Sequence, residues 1–266
     1  MHNPTIDRSM ISPLAHIHPK AQIGNNVTIE PFTSISADVV IGDNTWVGPN
    51  VVLMDGTRIG TNCKIFPGAV ISGIPQDLKY KGEPSLTIIG NNTTIREYVT
   101  INKGTADKMA TKVGDSCLIM AYAHIAHDCL IGNHVIVAGY VGITGHVVIE
   151  DYAIIEGLSG AQQFITIGAH SFVAGCSQIR KSVPPFIRVA REPLQYIGVN
   201  IVGLTRRGFS KESIKNIEDI YRIIFVRGYN MTKAVEMVEI DCPDTPERKQ
   251  ILDFISNEKD GIVKGI

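Results

Sequence analysis

At 266 residues the chain has room for one large domain or a domain with an appendage, and a 44% hydrophobic, 19% charged composition marks an ordinary globular chain. A net charge of −1 offers no electrostatic basis for binding nucleic acid. The five cysteines (Cys63, Cys117, Cys129, Cys176, Cys242) include no two-residue-spaced pair, which argues against a disulfide framework or a thiolate zinc site. Without an apolar leader in residues 1–10 or a stretch of membrane-spanning length, no membrane insertion is expected and the cytoplasm is the default location.

From residue 11 an aliphatic residue returns every sixth position: Ile11, Ile17, Ile23, Ile29, Ile35, Ile41, Val47, Leu53, Ile59, Ile65 and Ile71. A period of six is neither helical nor that of a plain strand. It suits a prism of three flat faces whose aliphatic residues point inward, with each coil taking eighteen residues and lying about 4.8 Å from the next. Pro13, Pro31, Pro49 and Pro67 stand eighteen apart, as such a coil requires. The fold class is therefore mainly β, a parallel β-helix running from residue 11 to about 183 within a first domain of residues 1–190. Parallel crossovers are ordinarily right-handed, and the period alone does not set the hand.

Two segments break the repeat. Residues 72–88 and about 102–112 are polar and rich in Gly, Lys and Asp, and read as loops expelled from the prism, where function concentrates. Between them lie Ile89, Ile95 and Ile101; beyond them the repeat resumes at Val113 and runs to Ile179, with Ala161 its one non-branched member.

The second run holds the densest polar cluster, His124-Ile125-Ala126-His127-Asp128. With Ile125 inward, both histidines face outward near a corner. Asp128 could orient or polarise His127, whose imidazole suits general-base work, provided the corner bends the chain enough to bring adjacent side chains together. Gly145 and Gln163 follow His127 at eighteen-residue steps, so an unshielded Gly145 N–H would lie beside the base, placed to bind a developing oxyanion. The glycine-rich stretch from Gly139 to Gly145 opens no helix and is repeat in register rather than a phosphate loop. His134, Tyr152 and His170 form a second column, read as a solvent-facing polar ladder, because its histidines lie about 9–10 Å apart and only another subunit could complete a metal site. In a third column, Ala121, Gly139, Gly157 and Gly175 leave one edge almost bare. That edge is either a wall for an apolar chain, with Gly175 at its far end, or a set of corners needing positive φ.

Pro184 and Pro185 end the repeat. Arg206 and Arg207 then stand ahead of a helix, a pairing that suits a diphosphate. Ser210 is a plausible N-cap, with Phe209 and Ile214 as a hydrophobic staple and Gly228 as the stop. Two more helices are expected near 232–240 and 246–257, giving a C-terminal helical domain over 191–266 that caps the prism. Arg180, Lys181, Arg188 and Arg191 promise a basic rim at the end of the repeat.

The combination of motifs is more specific than the repeat. Gln76-Asp77-Leu78-Lys79-Tyr80, Gly82-Glu83-Pro84, His124 to Asp128, Thr144-Gly145-His146, Gln163-Phe164, Val199-Asn200-Ile201 and Arg206-Arg207-Gly208-Phe209 occur in that order. Over essentially the whole chain the sequence resembles the acyl-ACP–UDP-N-acetylglucosamine O-acyltransferases that begin lipid A synthesis. The resemblance implies a left-handed helix and a homotrimer with active sites between prisms. It implies transfer of a 3-hydroxyacyl chain from acyl carrier protein to the sugar 3-hydroxyl, without a cofactor or metal. It makes His127 the general base and Gly145 the oxyanion donor. Asp77, Lys79, His124, His146 and Gln163 would lie around the sugar and acyl groups, and Gln76, Asn200, Arg206 and Arg207 at the nucleotide end. Two positions depart from the family pattern: Gln162 stands in place of a histidine, keeping a hydrogen-bonding amide, and Val202 in place of a glutamate.

Three alternatives compete. The related N-acyltransferase of the same pathway typically carries an N-terminal domain for which a repeat starting at residue 11 leaves no room. A zinc carbonic-anhydrase-like protein would need ligands from neighbouring subunits. A non-catalytic scaffold leaves the two loops unexplained.

Overall fold

The structure is a computed structural model that describes residues 10–258 and 261–265, so the first nine residues of the expected 1–190 domain lie outside it. Three parallel sheets form the faces of a prism. The first face runs through nine strands from His16–Ile17 to Gln178–Ile179, the second through eight from Gln22–Ile23 to Thr166–Ile167. The third runs from Thr28–Ile29 through ten strands, ending at Ile187–Ala190 and Gln195–Val199. Pairing is at eighteen-residue steps, as in Ile125 with Ile143 and Ile143 with Ala161. The molecule is the expected left-handed parallel β-helix with a few C-terminal helices.

The six-residue period has a direct physical origin. Each inward aliphatic residue from Ile29 to Ile179 is buried, and full burial of such a side chain contributes about 1.5–3 kcal/mol. Three residues later the chain turns a corner in the left-handed region, with Tyr122, Asp128, His134, Tyr140 and His146 all near φ +60°. That conformation costs about 1–2 kcal/mol for a non-glycine residue, comparable to one inward side chain, so a coil without its aliphatic column would not close. Corner side chains project outward and, one coil apart, are at stacking distance. Tyr98, Tyr122 and Tyr140 stack with centroids 5.1 and 4.9 Å apart.

The breaks are true extrusions. Ile59 pairs with Ile89 and Ile89 with Val113, thirty and twenty-four residues apart instead of eighteen. The loops are narrower than expected, because strands Val70–Gly73 and Leu86–Ile89 bracket the first and Thr100–Asn102 and Ala110–Val113 the second. The free segments are thus 74–85 and 103–109.

The expected boundary at residue 190 falls inside an antiparallel hairpin, Ile187–Ala190 against Gln195–Val199, which extends the third face beyond Pro184 and Pro185. Phe172 pairs with Arg188, sixteen residues on, so this last coil is two residues short and the period conceals it. Four helices follow: α1 (Ile201–Arg206), α2 (Lys211–Phe225), α3 (Met231–Asp241) and α4 (Pro246–Asn257). Ser210 caps α2 through a bond from Ser213 N–H, and Gly228 lies beyond its end with φ +74°. The six residues of α1 are too few to show a period in the sequence. Tyr221 of α2 is fully buried and donates its hydroxyl to Pro185 O at 2.6 Å, fixing the helices to the end of the prism.

The bare edge is not a set of corners needing positive φ. Positive φ belongs to the residues after the glycines, Tyr140, Leu158 and Cys176, and not to Gly139, Gly157 and Gly175. A Cβ at Gly157 or Gly175 would meet the carbonyl oxygen of the preceding coil at 3.1 or 3.2 Å. Close coil-to-coil approach is what favours glycine there.

Candidate active site

Asp128 occupies the left-handed corner position between the first and second faces, at φ +59°. That bend brings its carboxylate to His127, with Nδ1 and Oδ2 2.8 Å apart. Asp128 is fully buried beneath the second loop. Thr105 N–H and Lys108 N–H donate to Oδ1 at 2.9 and 3.2 Å, and the Thr105 hydroxyl donates to Oδ2 at 2.6 Å. Burial would push the Asp128 carboxyl up, but the bonds from Thr105, His127 and Lys108 outweigh it and hold the group below its ordinary value. An ionised carboxylate can only accept. His127 therefore carries its proton on Nδ1 and presents a lone pair at Nε2.

The His127 ring lies directly over Gly145. A Cβ there would be 2.7 Å from His127 Cε1 and 2.8 Å from Nε2, so only glycine fits. Gly145 N–H has no hydrogen-bond partner among the described residues. A base and an unused donor thus lie side by side. His146 meets His127 edge-on at 5.1 Å and stacks on Phe164 at 4.5 Å. Its Nδ1 is 3.2 Å from Asp107 Oδ2, at ion-pair distance but outside hydrogen-bonding geometry. The first loop brings Asp77 Oδ2 to 4.0 Å from His127 Nε2. His127, Asp128 and His146 hold ligand-type atoms within 4.8 Å of one another, yet each Asp128 oxygen already accepts from two donors with which a cation would compete.

His124 lies on the first face with Nδ1 2.7 Å from the Thr100 hydroxyl. Burial, with His127 nearby, pushes its pKa down, which favours the neutral ring. The next two residues in its row, Gly142 and Gly160, would each point a Cβ into open space, so a bare shelf extends from His124 along the prism. In the sequence Gly142 reads only as repeat, and the shelf does not show there. Gln162, Gln163, Gln76 and Lys79 are exposed, the last two at the tip of a loop where Leu78 is also fully exposed.

The remaining candidates sit elsewhere. Asn200 is buried as the N-cap of α1, accepting from Gly203 N–H at 3.2 Å and donating to His170 O at 2.8 Å. Arg206 and Arg207 do not form one pair. Arg206 lines a pocket of about 520 Å³ on the third face with Ile154, Phe172, Arg188, Asn200 and Val202. Arg207 lies over the Tyr152 ring at 5.3 Å and donates to Tyr152 O at 3.0 Å. The His134–Tyr152–His170 ladder exists, with centroids 4.5 and 4.9 Å apart, but its upper end is not solvent-facing. Phe209 meets His170 edge-on, and burial, then Arg207, push the His170 pKa down to about 4. The basic rim also divides, with Arg188 beside Arg206 and Arg180 and Lys181 lining a separate pocket with Lys264.

The hexapeptide transferase model matches residues 38–73 and 110–145, and a model described as UDP-N-acetylglucosamine O-acyltransferase, domain 2, matches residues 183–263. An acyl-[acyl-carrier-protein]–UDP-N-acetylglucosamine O-acyltransferase of Paraburkholderia phymatum is 45% identical over 96% of this chain and 100% of its own length. A solved UDP-N-acetylglucosamine acyltransferase from Bacteroides fragilis is 49% identical, covers 96% of this chain and 100% of its own, and superposes with a TM-score of 0.95. That from Francisella novicida is 38% identical over 96% of this chain and 94% of its own, with a TM-score of 0.93. The chain belongs to the family of acyl-ACP–UDP-N-acetylglucosamine O-acyltransferases.

Proposed function

We propose that this protein transfers a 3-hydroxyacyl group from acyl carrier protein to the 3-hydroxyl of UDP-N-acetylglucosamine, opening lipid A biosynthesis, in clefts between the protomers of a cytoplasmic homotrimer. The observation that carries the reading is the His127–Asp128 dyad lying over an unpaired Gly145 N–H. His127 Nε2 accepts the sugar hydroxyl proton as the oxygen attacks the thioester carbonyl. Gly145 N–H donates to the carbonyl oxygen as it becomes an oxyanion. Collapse breaks the C–S bond, and the imidazolium returns the proton to the departing thiolate, leaving an ester and a free carrier thiol. Asp77, Lys79, His124, His146, Gln162 and Gln163 surround the sugar and the acyl head; Gln76, Asn200, Arg206 and Arg207 serve the nucleotide end.

Two observations favour a shared site. His127 stands on the edge between the first and second faces, while the Arg188–Arg206 pocket lies on the third, on the far side of the same prism. A nucleotide sugar reaching both spans two chains. The edge between the third and first faces also exposes Phe32, Tyr98, Tyr122, Tyr140 and Leu158, an apolar ridge that association would cover. Gly175 lies beside this ridge, and the bare strip from Ala121 to Gly175 is proposed as a wall for the acyl chain, since each buried methylene contributes about 0.8 kcal/mol. The acidic carrier would approach the basic groups at the end of the prism that lie apart from the Arg188–Arg206 pocket, Arg180, Lys181 and Arg191. Among the described residues no helix is long and apolar enough to cross a membrane.

His127→Ala should cut the rate of O-acylated product formation by roughly 10²–10⁴-fold with the trimer intact; near-normal turnover would remove His127 from the role of base. Gly145→Ala drives a methyl into the imidazole, and kcat should fall by at least about tenfold with smaller changes in KM; unchanged kcat would count against the stacked geometry. Gly175→Met should shift preference towards a donor several carbons shorter while the fold survives. A folded trimer that keeps its original chain-length preference would show that the acyl chain runs elsewhere.

A further inference from the structure

The six residues that the second loop adds to its coil contribute no strand to the prism. They deliver donors to one carboxylate. Thr105 is itself buried, and its hydroxyl and N–H reach different oxygens of Asp128 at 2.6 and 2.9 Å. Asp107 N–H donates to Thr105 Oγ1 at 3.3 Å, which occupies a lone pair and leaves the hydroxyl proton for Asp128. From the other side, Asp128 N–H donates to Thr111 Oγ1 at 2.9 Å and fixes the corner. A buried carboxylate stays ionised only when its lone pairs are satisfied, and here four donors satisfy it.

Asp128 Oδ2 is shared by the Thr105 hydroxyl and His127 Nδ1. We propose that Thr105 is a positioning residue for acyl transfer, holding Asp128 and, by sharing Oδ2, setting how strongly that carboxylate attracts the proton of His127. This rests on His127 being the base. The sign follows from the sharing. Removing the hydroxyl concentrates the negative charge of Oδ2 on the imidazole, stabilises the imidazolium, and moves the loss of active base on acidification to higher pH. A loop serving only as packing would lower activity or thermal stability without moving that limb.

The test is the pH profile of kcat/KM for Thr105→Val, which keeps the shape and the backbone donor, beside Thr105→Ser, which restores a hydroxyl. The valine variant should lose roughly tenfold in turnover, with the acidic limb displaced upward by about half a pH unit. The serine variant should keep most of the turnover and the original limb. If Thr105→Val does not assemble, Thr105→Ala carries the same readout. A valine profile that superimposes on that of the unaltered protein overturns the proposal, as does a loss of turnover with the limb in place and serine equally impaired. His127→Ala measured in parallel separates the two failures. Retained turnover there removes the base assignment itself, whereas its loss combined with an unmoved Thr105→Val profile removes only the role of Thr105.

Discussion

The structure depends on coil-to-coil register. Away from the two extrusions and the last coil, each strand pairs with the one eighteen residues on, so chemical neighbours in space are fixed by arithmetic along the chain. A slip of one residue would turn the inward aliphatics out, and the corner residues held near φ +60° would lose the stacked neighbours that accompany their strain. The register also lays His127 over Gly145, because the two are one coil apart. The contact proposed for catalysis is thus a special case of the contact that builds the prism.

Function enters where the register is interrupted. The first loop reaches out to bring Asp77 to the open side of His127, and the second folds back to bury Asp128. One imidazole therefore has a buried, saturated carboxylate at Nδ1 and a half-exposed one facing Nε2. The rigid face beneath supplies precision that loops alone lack. The bare shelf of Gly142 and Gly160 beside His124 completes the picture on the first face, offering room for substrate without side chains in the way.

What the sequence made legible follows from the same physics. The inward column, both extrusions and the three longer helices express periods, and a period can be read from a single chain. The hairpin at 187–199 was concealed because its coil is two residues short, and α1 because six residues show no periodicity. His127, Asp128 and Gly145 were identifiable, but their contact turns on the left-handed bend at Asp128. Thr105 and Lys108 were missed because a loop outside the register gives no indication of what it touches. That Thr105 falls four residues after the inward Ile101 was the one partial signal. That Arg206 and Arg207 meet different partners has a related cause. Successive residues at a helix end diverge by about 100°, so Arg206 lines the third-face pocket with Arg188 while Arg207 turns to Tyr152.

In the proposed assembly one substrate molecule bridges a base on one prism and an arginine pocket on the next. The most direct test is a crystal structure of the assembled protein with UDP-N-acetylglucosamine bound. The diphosphate end is expected beside Arg188 and Arg206 of one protomer and the sugar 3-hydroxyl within hydrogen-bond reach of His127 Nε2 on its partner. A nucleotide sugar held wholly by one chain, or with its 3-hydroxyl away from His127, would contradict it.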